Sequence, residues 1–382
     1  MTRLQDLYTT FGQSPWLDNL KRSYVTGGRL AELIGQGVRG LTSNPTIMAK
    51  AIEGGDEYDE QFSESMAAHN DVLNAYWDLV VQDVTDALEL FRPLYDESEG
   101  SDGFVSIEVA PNLARETAST IEAARNLHER IDRPNLLVKI PASEQGVRAV
   151  RAMIAEGRSI NVTLIFSLER YESVMEAYLG GLEDLVAKGG DPSKVASVAS
   201  FFVSRVDTET DRRLEAVVAD DPGSPRAERA RSLRGRTAVA QARTAYEHFE
   251  RRFAGPRWEA LAARGARVQR PLWASTSTKN PAYSDLAYVD TLIGPSTVNT
   301  MPEETLARFL DHGKPARTVD ADVESAHRVL TDLGSLGISM SDVAETLEDE
   351  GVTAFEKSFD EVIERLSEKA SRLGMRADGA DA

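Results

Sequence analysis

Lys139 lies in Asn135-Leu136-Leu137-Val138-Lys139-Ile140-Pro141, a run of β-formers that otherwise reads as a fully buried strand. A buried ammonium must be paired or neutralised, because desolvation disfavours the charged form. An unperturbed lysine, with a pKa of about 10.4, is neutral only to roughly 0.04% at pH 7, so an amine that attacks a carbonyl needs such a setting. The segment reads in two ways. Lys139 is either a Schiff-base lysine or a lysine near a strand end that snorkels to water or pairs with a carboxylate.

Other chemistry-bearing residues fall at comparable places. Asp18, Asn44, Glu108, Lys139, Asn161 with Thr163, Ser200 with Arg205, and Ser275 with Lys279 lie toward or just beyond the C-terminal ends of seven successive candidate strands. Any one of them alone is an ordinary helix cap or turn former. Together they supply two carboxylates for proton transfer, amides and hydroxyls for binding sugar hydroxyls, and cations for a phosphate.

The elements that must position these residues follow from an alternation of short apolar runs with amphipathic stretches, the pattern of βα units around a parallel sheet. Candidate strands are Ser14–Asp18, Val38–Ser43, Gly103–Val109, Asn135–Ile140, Ile160–Phe166, Ala196–Val203, Arg270–Ala274 and Tyr288–Ile293. Eight strands are the barrel number, and in a (β/α)8 TIM barrel their C-terminal ends converge on one face. Helical spacing marks Leu113–Arg130, Ala238–Phe253 and a C-terminal stretch through Phe355, Phe359, Val362, Leu366 and Ala370 that is expected to lie across the barrel. Asp96–Gly103 and Asp220–Pro225 are short enough to be loops. A single barrel domain is expected over residues 1–375, with a frayed polar tail at 376–382.

Composition limits the setting. The 382 residues contain no cysteine, which excludes disulfides, thiolate metal sites and cysteine nucleophiles. Forty-three Lys+Arg against 62 Asp+Glu give a formal net charge of −19, which repels nucleic acid and anionic membranes. An anionic ligand must therefore be held by a local cluster of positive charge. The N-terminus lacks the pattern of a secretory leader and no apolar run approaches a membrane span, so a cytoplasmic location is expected. Gly35-Gln36-Gly37-Val38-Arg39-Gly40 fits a G-x-G-x-x-G pattern but leads into a strand instead of leaving one, and reads as a loop. The five histidines lack ligand spacing, so no metal site is expected.

Several segments, in order, resemble the transaldolase family. Leu41-Thr42-Ser43-Asn44-Pro45-Thr46-Ile47-Met48 looks like its first signature, and Leu137-Val138-Lys139-Ile140-Pro141-Ala142-Ser143 looks like the segment bearing its Schiff-base lysine. Ile160-Asn161-Val162-Thr163-Leu164-Ile165-Phe166-Ser167, Ala199-Ser200-Phe201-Phe202-Val203-Ser204-Arg205 and Leu272-Trp273-Ala274-Ser275-Thr276 continue the series. The length and the Thr-Ser-Thr-Lys-Asn-Pro stretch resemble the longer bacterial subgroup. The resemblance implies a (β/α)8 barrel with no metal or organic cofactor. It also implies transfer of a dihydroxyacetone unit between sugar phosphates in the non-oxidative pentose phosphate pathway.

Carried over by position, the resemblance makes Lys139 the Schiff-base lysine. Glu108 becomes the acid/base of imine formation and hydrolysis, acting through a water held by Thr163, and Asp18 the carboxylate that takes the C4 hydroxyl proton. Asn44 and Asn161 are implied for the dihydroxyacetone hydroxyls, with Ser200 at the C1 end and Arg205 on the phosphate. The seventh strand departs from the shorter transaldolases, in which an arginine follows the Ala-Ser motif closely. Here Ser275 and Lys279 take that place, and Lys279 reads equally as a solvated loop lysine. On residue type alone Asp18 also reads as a helix cap. Two further readings are a class I aldolase that releases free dihydroxyacetone and a silent sugar-phosphate-binding barrel. Glu108 and Phe202 speak against the first, since the resemblance puts a tyrosine at the Phe202 position in such aldolases. The sequence leaves monomer and homo-oligomer equally open.

Overall fold

The computed structural model describes residues 1–53 and 56–373, so the expected tail at 376–382 lies outside the described residues. Eight parallel strands close into a barrel in chain order: β1 (Gln13–Asp18), β2 (Gly40–Thr42), β3 (Phe104–Glu108), β4 (Leu136–Pro141), β5 (Ile160–Ile165), β6 (Ser197–Phe202), β7 (Arg270–Ala274) and β8 (Thr297–Met301). Closure comes from β8 pairing with β1 over Gln13↔Thr297 to Leu17↔Met301. Helices follow the strands on the outside, so strands such as β4 and β5 are buried along their whole length and can be built from near-continuous Val, Ile and Leu.

The expected eighth strand is wrong. Tyr288–Ile293 is a short helix, Ala287–Asp290, followed by a turn, and the strand is Thr297–Met301. The run is apolar because Tyr288, Val289, Leu292 and Ile293 are core residues in a connecting segment. Its backbone is also tied to the barrel, as the carbonyl of Leu292 accepts from Gln13 Nε2 at 2.7 Å and from Trp273 Nε1 at 3.0 Å. The true strand carries Thr297, Asn299 and Thr300, all buried, so burial there left little apolar signal.

Inside the barrel, side chains stack in layers. Trp16 fills the lower interior, and β2 comes so close to it that a Cβ on Gly40 would lie 2.4 Å from the indole. Beneath it, buried Asp102 accepts from Arg39 Nε at 2.8 Å and from Arg270 Nη2 at 3.2 Å, which satisfies its charge far from the opposite mouth. At that mouth, the C-terminal helix Met340–Arg372 approaches closely enough that a Cβ on Gly351 would sit 3.1 Å from Leu164. Ser358 on this helix accepts from Thr46 Oγ1 at 2.8 Å. The expected packing of this helix across the barrel is thus observed. Among the described residues, no helix is long and apolar enough to cross a membrane.

Candidate active site

Register sets the site. Glu108, Lys139 and Asn161 are level with one another across β3, β4 and β5, and Pro141 is level with Thr163. Because successive strand residues point to opposite faces, Ser106 and Glu108 share one direction, as do Asn161 and Thr163. Lys139 Nζ lies 2.9 Å from Glu108 Oε2 and donates to the Ser43 carbonyl at 2.9 Å. The approach to Glu108 is an ion pair without hydrogen-bond alignment, and Glu108 Oε1 has no protein partner among the described residues. Lys139 is 5% exposed, so it pairs with a carboxylate within the barrel and does not snorkel to bulk water.

Burial pushes the Glu108 carboxyl above its ordinary range, with Lys139 opposing the shift. Asp18 is also raised by burial, against the pull of Lys139, the Thr42 hydrogen bond at 2.9 Å, Lys279 and Arg205. Two carboxyls biased toward the protonated form beside one amine are suited to acid/base work near neutrality.

The remaining expected residues gather around the same space. A cavity of about 330 Å³ is lined by Asp18, Asn44, Lys139, Thr163, Ser200, Phe202, Arg205, Ser275 and Lys279. Glu108 and Asn161 are not among its lining residues. Asn161 is locked by donating to Ser106 Oγ at 3.1 Å and accepting from Ser200 Oγ at 2.7 Å. Thr163 Oγ1 is buried without a protein partner among the described residues, and the next residue, Leu164, is held at φ 58° where β5 bulges. A left-handed non-glycine conformation in a buried strand is strain, and here it adjoins a site residue.

Asn44 accepts from the Ile47 amide at 3.0 Å, so it caps the helix Pro45–Glu53 while bordering the cavity. Phe202 is a wall residue stacked on Phe166 at 5.0 Å between ring centroids, with the Arg205 guanidinium 5.4 Å from its ring. Ser275 sits at φ 55°, its Oγ 3.0 Å from Ser204 Oγ, and Lys279 Nζ donates to Ser277 Oγ at 2.8 Å. Arg205 is half-buried with no carboxylate or hydrogen-bond partner among the described residues.

Sequence reasoning missed Thr42, Ser106, Thr300, Phe355 and Lys50. Thr42 joins Asp18 to Thr300, whose Oγ1 lies 2.7 Å away. Two-residue strand spacing from Asn44 and Glu108 would have marked Thr42 and Ser106. Thr300 was hidden by the misplaced eighth strand. Among the described residues, no group of three or more His, Asp or Glu side chains is arranged to hold a metal.

A strand-borne amine in contact with one carboxyl and near a second, at the C-terminal mouth of a closed barrel, defines the class of Schiff-base-forming (β/α)8 enzymes that make and break carbon–carbon bonds. A family model described as Transaldolase/Fructose-6-phosphate aldolase matches residues 15–366. The chain belongs to the transaldolase/fructose-6-phosphate aldolase family. It is 50% identical over 368 residues to a transaldolase of Parafrankia sp. (strain EAN1pec), covering 96% of this chain and 97% of the relative. It is 49% identical to those of Thermobifida fusca, covering 94% and 96%, and of Mycolicibacterium smegmatis, covering 92% and 94%.

Proposed function

We propose that this chain is a transaldolase of the cytoplasm, moving a dihydroxyacetone unit from sedoheptulose 7-phosphate to glyceraldehyde 3-phosphate to give erythrose 4-phosphate and fructose 6-phosphate. The observation that carries the reading is the 2.9 Å contact with Glu108 made by Lys139 Nζ, the amine that lines the cavity of about 330 Å³. The neutral Lys139 amine adds to the C2 carbonyl, and Glu108, through a water held by Thr163, protonates the departing hydroxyl so that the carbinolamine loses water to the imine. Asp18 then takes the C4 hydroxyl proton, the C3–C4 bond breaks, and the electron pair passes into the imine to leave an enamine. The aldose leaves. An acceptor aldehyde accepts the enamine carbon and recovers its proton from Asp18, and water returned through Glu108 frees the ketose. Asn44, Asn161 and Ser200 hold the hydroxyls of the dihydroxyacetone unit, while Arg205, Ser275 and Lys279 hold the phosphate. Arg205 supplies a fork of donors that no protein acceptor engages among the described residues. Sugar phosphates are thus the partners, and neither nucleic acid nor membrane is one.

An aldolase releasing free dihydroxyacetone is the competing reading. Phe202 favours transfer, because an apolar ring that is 7% exposed at the cavity wall brings no hydroxyl to protonate the enamine. The test is borohydride reduction in the presence of fructose 6-phosphate, followed by peptide mass spectrometry. A reduced dihydroxyacetone adduct on Lys139 and on no other lysine is expected; unchanged mass, or an adduct elsewhere, overturns the mechanism. Lys139→Met, close in volume and uncharged, is expected to fold and to lose both adduct and transfer.

A further inference from the structure

Three cations reach the cavity: Arg205, Lys279 and Lys50. Lys50 belongs to the helix Pro45–Glu53, and Thr46, Ile47 and Lys50, spaced as neighbours on one helix face, all line the same space. The helix is fixed to the site at its start, where Asn44 accepts from the Ile47 amide at 3.0 Å. None of the three cations has a carboxylate within ion-pair distance among the described residues; Lys279 meets only the Ser277 hydroxyl and Arg205 only the Phe202 ring. This is notable in a chain with 62 acidic against 43 basic residues, where surface arginines such as Arg257 engage two glutamates at once. Cations gathered without a contacting counter-charge repel one another, with Glu350 and Asp18 acting on Arg205 only from beyond ion-pair distance, and a bound dianion offsets that repulsion. Lys50 and Lys279 are exposed and Arg205 is half-buried.

We infer that Lys50 is a third, outer ligand of the substrate phosphate, its flexible stem carrying an ammonium to the group that Arg205 and Lys279 engage from the opposite strands' loops. The inference rests on the proposed reaction of phosphorylated sugars. It assigns to the helix after β2 two functions at once: its cap, Asn44, addresses the dihydroxyacetone end of the substrate, and its last turn addresses the phosphate end. A lysine suits the outer position because it follows a phosphate whose distance from Lys139 differs between six- and seven-carbon ketoses.

The test uses the full chain with fructose 6-phosphate as donor and erythrose 4-phosphate as acceptor, with inorganic phosphate as a competitive inhibitor. For Lys50→Gln, the KM for fructose 6-phosphate and the inhibition constant of phosphate are each expected to rise about tenfold, with kcat falling less than about threefold, because a charge-assisted contact to bound anion is lost. Lys50→Arg is expected to restore both constants, and Lys50→Glu to raise them beyond Lys50→Gln. If Lys50→Gln leaves KM and phosphate inhibition within about twofold of the parent, or lowers kcat at unchanged KM, the assignment is wrong. Borohydride trapping on the parent separates the two levels. No Lys139 adduct with fructose 6-phosphate sinks the reaction itself, whereas a Lys139 adduct together with an indifferent Lys50 series sinks only the role of Lys50.

Discussion

Glu108 and Asp18 are both raised by burial, yet they meet the substrate's path differently. Glu108 is buried against the amine, and the proposed mechanism gives it the steps at the C2 nitrogen. Asp18 lines the cavity and is held by Thr42 rather than by a cation, as a base for a substrate hydroxyl requires. Glu108→Gln is therefore expected to slow imine formation and hydrolysis, and Asp18→Asn to permit imine formation but slow the cleavage, each by roughly 10²- to 10⁴-fold. Rapid quenching with borohydride separates the steps, as the adduct accumulates in Asp18→Asn and fails to form in Glu108→Gln. Equal impairment of both steps by both variants would defeat the division.

The helix Ser204–Asp220 carries Arg205 at its start and is anchored by two aspartates. Asp207 accepts from Tyr288 Oη at 2.8 Å and from the Ala238 amide at 2.8 Å. Asp211 accepts from Tyr283 Oη at 2.6 Å and from the Gly235 amide at 2.9 Å. One helix thus braces the segment between β7 and β8 in which Lys279 lies, and Tyr288, read from sequence as strand, is one of its ties. Burial pushes the Asp207 carboxyl up to about 6 from an ordinary 3.8. The folded state therefore holds a proton that the unfolded chain has released, so the contribution of Asp207 to stability is fully present below 3.8 and is lost as pH rises through about 6. Asp207→Asn has no such titration. Relative to the parent it is expected to gain roughly 3 kcal/mol of stability between pH 4 and 8, from about two pKa units at 1.36 kcal/mol each. Urea unfolding at a series of pH values measures the difference, and a difference flat with pH refutes the assignment.

At the scale of the molecule, the 33-residue C-terminal helix Met340–Arg372 returns to the catalytic mouth, where Phe355 joins the cavity wall and Phe359 stacks edge-on against Tyr76 at 5.3 Å. In the proposed mechanism this wall would narrow the route for water to a bound enamine. Phe355→Ala is expected to raise release of free dihydroxyacetone relative to transfer, and to cost about 3–5 kcal/mol of stability, because it removes a buried ring. A coupled assay for dihydroxyacetone reads the first effect; no increase over the parent makes Phe355 a packing residue alone. The net charge of −19 acts on the same mouth. In the proposed reaction an anionic substrate approaches against the overall field and meets cations, Arg205, Lys279 and Lys50, that have no carboxylate at ion-pair distance among the described residues.

The sequence by itself determined the βα alternation, seven of the eight strands to within a few residues, the lysine in its apolar strand and the ordered segments that carry the family. Those features are local: strand burial writes itself as runs of Val, Ile and Leu, and each site residue follows its strand within a few positions. Tertiary structure decided where the barrel closes, since Thr297–Met301 is recognised only by pairing with β1, and an apolar run at Tyr288–Ile293 is just as compatible with core-facing turns. It also decided which residues meet. The level register of β3 and β4 brings Glu108 to Lys139, Ser106 and Ser200 lock Asn161, and a helix face brings Lys50 to the same cavity as Arg205. Register, burial and the resulting upward shifts of Glu108 and Asp18 depend on neighbours distant in the chain, so no single segment encodes them.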